Sequence, residues 1–89
     1  MLEDKIINVL NDVENQITLI KIKIKNEKKE LKSIAKLKEI DKYVDNERVE
    51  NIKTRTISEI EDLEIEVYKL KKVLYRLRVC LNILNNEEE

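Results

Sequence analysis

The chain has no glycine, no proline, no histidine, no tryptophan and no phenylalanine among its 89 residues. Without glycine or proline it lacks the usual formers of tight turns, the usual helix breakers and the glycine loops that cradle phosphates. Without histidine it lacks the side chain most used for proton transfer near neutral pH and the commonest metal ligand. Its one cysteine, Cys80, excludes an internal disulfide. No run approaches the roughly 18 consecutive apolar residues of a membrane span, and Met1-Leu2-Glu3-Asp4 has neither the basic nor the apolar region of a signal peptide. The expectation is a cytoplasmic protein with no catalytic residues, cofactor, metal, membrane contact or small-molecule substrate.

What remains is apolar and charged in equal measure, 42% of each, with a formal net charge of only −1. Such a surface is rich in ion pairs and has no overall attraction to polyanions. The excess of Ile, Lys, Asn and Glu is that of an AT-rich genome, which suits a small accessory factor of a bacterium, phage or plasmid. A chain of this length makes one domain and buries a small fraction of its surface, so a partner is expected to complete the core.

From Ile6 onward the apolar residues advance in steps of four and three. Leu10, Ile17, Ile24 and Leu31 take the a positions of a heptad, and Ile6, Val13, Ile20 and Ile34 take d, with Glu27 in one d slot. A lone polar residue in such a seam commonly fixes register, and otherwise marks a loose stretch. Residues 20–25 alternate Ile and Lys with period two, as a strand would, but a strand there would interrupt a longer helical pattern. A second segment places Ile60, Val67, Leu74 and Leu81 at a and Leu63, Leu70, Leu77 and Leu84 at d, with Val49, Ile52 and Thr56 extending it weakly upstream. Asp45-Asn46 and the box Thr56-Ile57-Ser58-Glu59 can each cap a helix start. The turn is placed at the first, with Thr56 as the fallback.

Folding the segments against each other sets Ile6 beside Leu84, Ile24 beside Val67 and Ile34 near Thr56, with partner numbers totalling about 90 throughout, as equal helical rise requires. The midpoint falls at residue 45, where the turn chemistry lies. The pattern therefore predicts an all-α protein: helix 1 over about 3–42, a turn over about 43–47, helix 2 over about 48–85 and an acidic tail over 86–89. Beyond Ile34 the spacing slips through Leu37, Ile40 and Val44, so packing near the turn should be less regular. Charge agrees, because residues 21–42 hold nine lysines against four acids while 59–66 hold five acids and no base. Pairs such as Lys28 with Asp62 or Lys25 with Glu66 follow from the hairpin.

Helix 2 carries a second apolar stripe, Ile65, Tyr68, Tyr75 and Val79 at f and b positions, interrupted by Lys72 and joined by Ile83. It lies roughly 150° from the first seam, whereas helix 1 is mostly polar behind its own. Residues 73–84 are apolar nearly all round, the mark of a buried helix, and Cys80 there reads as a small buried hydrophobe. The two tyrosines read as packing residues with hydroxyls at the edge, with ligand stacking as the alternative. The stripe predicts dimerisation into a four-helix bundle and a non-enzymatic protein-interaction module.

A second functional class is a nucleic-acid-associated protein using the helix 1 lysines and the cluster Lys69, Lys71, Lys72, Arg76 and Arg78, which contains no acid between residues 69 and 78. Acids at 59–66 can compensate the first group, and no aromatic or arginine interleaves those lysines to stack on bases. A basic zipper is excluded because residues 45–62 are net acidic.

In length, helical character and the order Lys28-Lys29-Glu30-Leu31, Lys36-Leu37-Lys38 and Asp45-Asn46-Glu47-Arg48, the first half resembles the helical chorismate mutases. That family surrounds a dianionic substrate with two arginines from its first helix, a lysine, an arginine–glutamate pair and a late glutamine. Here Asn11 and Lys28 stand at the arginine positions, Val49 replaces the glutamate after Arg48, and the last helix has no glutamine. No catalytic residue carries over.

Overall fold

A chain free of glycine and proline has little to interrupt a helix, and the computed structural model, which describes residues 1–40 and 45–87, consists of two. Helix α1 spans Leu2–Ile40 and α2 spans Asn46–Glu87. At 1.5 Å per residue each is about 60 Å long. They lie side by side as one hairpin in a rod of 70 × 15 × 15 Å. The Ile/Lys alternation of residues 20–25 sits inside α1, so the helical period prevails over the strand-like one. The expected end of helix 1 near Lys42, the loop at Tyr43 and Val44, and the tail at residues 88–89 lie outside the described residues.

The two helix starts are stabilised in different ways. At α1 the terminal ammonium of Met1 lies 3.7 Å from Asp4, and Glu3 and Asp4 occupy the first turn, where acids complement the helix dipole. At α2 the Asp45 carboxylate accepts from the backbone N–H of Glu47 at 3.1 Å and of Arg48 at 3.3 Å, while its carbonyl accepts from Val49 N–H at 3.0 Å. Asp45 is thus the N-cap. The fallback is overturned: Thr56 stands inside α2, 5% exposed, with its hydroxyl donating to the Ile52 carbonyl at 2.9 Å. A hydroxyl already satisfied by its own helix can be buried in a seam without cost from an empty donor.

The heptad seam is the core. Val13, Ile17, Val67 and Leu74 form its buried centre, with Leu10, Ile20, Ile24, Leu70 and Leu77 half-buried against them. Val49 and Ile60 are buried as well, so the upstream extension is as well covered as the zipper proper. There Ile52, Thr56 and Ile60 follow in two successive steps of four, a local unwinding of the heptad rhythm. In α1 the slip shows at Leu37, which is half exposed; the side chains of Ile40 and Val44 lie outside the described residues. No described side chain is exposed by less than 2%. With only two helices, each seam residue is covered by one partner helix and its flanks are left to water.

Interhelical ion pairs report the register. Lys28 Nζ lies 3.7 Å from Glu64, and Arg78 donates to Glu14 at 3.1 Å. Partner numbers total 92 in both, within one half-turn of the predicted 90. The expected partner of Lys28 is therefore corrected from Asp62 to Glu64: both residues stand at e positions, which face each other along one edge of an antiparallel seam, whereas Asp62 at c turns away. Lys25 likewise makes no ion pair with Glu66 and instead lines a lysine groove with Lys21, Lys28, Lys29 and Lys32 around Ile24.

Candidate functional site

The a/d seam uses one face of α2, and helical geometry carries the b and f residues to the opposite face, where α1 cannot reach. Ile65 is 53% exposed, Tyr68 60%, Tyr75 70%, Val79 38% and Ile83 53%. These five large side chains make one stripe along α2. The basic side chains expected near them flank it: Lys69 and Arg76 at c on one edge, Lys71 and Arg78 at e on the other, and Lys72 within it. All five bases are exposed. Lys72 Nζ stands 4.6 Å from the centroid of the Tyr68 ring, a cation over the negative face of the phenol. Arg78 is drawn toward the other side by Glu14.

Two shallow depressions adjoin along this stripe and share Tyr68. One is lined by Tyr68, Lys71, Lys72, Tyr75 and Arg76 and is rimmed only by cations. The other is lined by Glu61, Glu64, Ile65 and Tyr68 and is rimmed only by carboxylates. The surface thus reverses charge on either side of one aromatic ring. Sequence reading found the stripe and the bases but not this adjacency, whose signal is the run of acids at 59–66 ending three residues before the bases begin.

Other expectations change. Cys80 is exposed, not buried, because its g position lies at the rim of a seam with only two helices. Val73, like Val79 and Ile83, is also substantially exposed, so the apolar end of α2 is open to water within one hairpin. The back of α1 carries exposed Leu19 and Ile22, which interrupt its polar surface without forming a stripe. Glu27 is half-buried in a groove with Lys23, Glu59, Asp62, Leu63 and Glu66, and among the described residues no cluster of acids and cysteine could hold a metal ion. Nor is any described helix long and apolar enough to cross a membrane.

No protein-family model, curated protein or solved structure matches this chain.

Proposed function

We propose that this chain is a non-enzymatic assembly module: two copies join through the outer face of α2 into a four-helix bundle, which then engages another protein. The observation that carries the reading is the stripe of Ile65, Tyr68, Tyr75, Val79 and Ile83, broken only by Lys72 and exposed on a helix whose other face is already filled. Soluble monomers seldom leave such a stripe in water. Burying a large side chain stabilises by about 1.5 to 3 kcal/mol. Ten half-exposed side chains in a dimer therefore supply roughly 10 kcal/mol, of the same order as the about 4 to 15 kcal/mol lost in association. The expected affinity is modest. A two-fold axis makes one such face its own complement, and four antiparallel or parallel helices around one core are a common solution for helices with two apolar faces.

The test is light scattering coupled to size exclusion at high protein concentration. Wild type should elute as a dimer, and the double variant Tyr68→Glu with Tyr75→Glu as a monomer that keeps its helical circular dichroism. A monomeric wild type sinks the reading. A second reading, nucleic-acid association, draws on the groove of Lys21, Lys25, Lys28, Lys29 and Lys32. It requires that affinity for random duplex fall steeply as salt rises, the signature of counterion release.

A further inference from the structure

We infer that the second copy docks antiparallel on the outer face of α2, with the two-fold axis passing beside Tyr68. This rests on the self-association proposed above and goes beyond it in fixing direction and register.

The argument starts from the two adjoining depressions, one rimmed by Glu61 and Glu64, the other by Lys71, Lys72 and Arg76, with Tyr68 common to both. A two-fold axis at the shared residue lays the acid-rimmed half of each copy on the cation-rimmed half of the other. Tyr68 then meets its own copy, Ile65 lies against the aliphatic stem of the partner's Lys72, and Tyr75 faces the partner's Glu61. At the rims, antiparallel helices set like heptad positions against each other, as the e-to-e pairs Lys28–Glu64 and Glu14–Arg78 already do within the chain. On the e edge Glu64 faces Lys71, and on the c edge Asp62 faces Arg76. Each of these meetings occurs twice by symmetry.

The alternatives set base against base. Moving the axis to Lys72 pairs Ile65 with Val79 and Tyr68 with Tyr75, which suits the apolar stripe, but it places Lys69 opposite Arg76, Lys71 opposite Lys71 and Lys72 opposite Lys72. A parallel dimer also stacks Lys72 on Lys72 and brings Lys71 toward Arg76. Placing the axis at Tyr68 leaves only Lys69 facing its own copy, at an exposed rim. It also uses nearly the whole helix, since α2 runs Asn46–Glu87 and Tyr68 lies close to its middle. Val79 and Ile83 then face the partner's Ser58 and Thr54, whose short side chains cover them in part.

Three single-cysteine chains, each with Cys80→Ser, read the register: Lys69→Cys, Lys71→Cys and Lys72→Cys, all at exposed positions that leave the seam intact. Under oxidation to a disulfide, Lys69→Cys should link two chains far faster than the other two, whose copies a one-heptad mismatch holds about 10 Å apart along the axis, beyond the roughly 7 Å between Cα atoms that a disulfide spans. Linking of Lys71→Cys or Lys72→Cys as fast as Lys69→Cys, or failure of Lys69→Cys in a chain that light scattering shows to be dimeric, overturns the register and leaves self-association standing. Absence of any dimer overturns both.

Discussion

Replacing Leu74 by alanine tests whether the heptad seam is the core. Leu74 is 8% exposed and packs within the cluster of Val13, Ile17 and Val67. Leu→Ala in a closed core costs about 2 to 5 kcal/mol, the spread reflecting how far the site can collapse. Here the flanks of the seam are open to water, so neighbouring side chains and solvent can enter the space, and the expected loss is at the low end, about 2 to 3 kcal/mol. For a chain of this size that lowers the midpoint of thermal unfolding by roughly 10 to 20 °C. Leu19→Ala is the control. Leu19 is 66% exposed on the back of α1, and its loss should cost no more than about 0.5 kcal/mol, the usual range for a surface change. The measurement is far-ultraviolet circular dichroism against urea and temperature at a single protein concentration, because the proposed self-association would make stability concentration-dependent. If the two variants lose the same stability, the seam is not what holds the helices together.

Two further outcomes are expected. Asp45→Ala removes the acceptor for the N–H groups of Glu47 and Arg48 and should cost about 1 kcal/mol, while Asp45→Asn keeps a cap and most of the stability, as urea titration would show. In a Cys80→Ser chain, Val13→Cys with Leu77→Cys should oxidise within one molecule and Val13→Cys with Val49→Cys should not, read by mobility on non-reducing gels. Disulfides need Cα atoms within roughly 7 Å, so an unlinked first pair refutes the antiparallel register.

The hairpin was legible because its causes are periodic and local. Steps of four and three from Ile6 to Ile34 and from Ile60 to Leu84 form two long stripes, and of the two candidate caps Asp45 is the one at the midpoint that pairing the stripes requires. Burial was less legible than position. Cys80, Val73 and Ile83 belong to an apolar stretch whose composition reads as buried, yet composition does not say how many helices are present to cover it. Within one hairpin they are exposed. The same gap separates Lys28 from its expected partner: sequence gives the levels that face each other, while the edge on which two side chains meet depends on the helix rotation that packing sets. The candidate surface was named residue by residue, but the reversal of charge about Tyr68 emerges only when the depressions on either side are seen to share that ring.

The two faces of α2 solve one problem by different means. A seam of repeated heptads is nearly degenerate, because sliding α2 by seven residues returns an apolar side chain to most a and d slots. On the inner face that degeneracy is broken twice. The Asp45 cap fixes where α2 begins, and the pairs at the e edge reject the slipped alternative: advancing α2 by one heptad would put Lys28 opposite Lys71 and Glu14 opposite Asn85. Each pair is more than 40% exposed and contributes at most about 1 kcal/mol, so the pairs select among registers without supplying the stability of any. On the outer face no covalent turn limits the slide of a second copy, and the apolar stripe itself is interrupted by Lys72. In the proposed dimer, charge would select the register against the closer apolar match about Lys72. The junction of an all-acidic stretch and an all-basic one at Tyr68 would, in that dimer, set where the second copy fits.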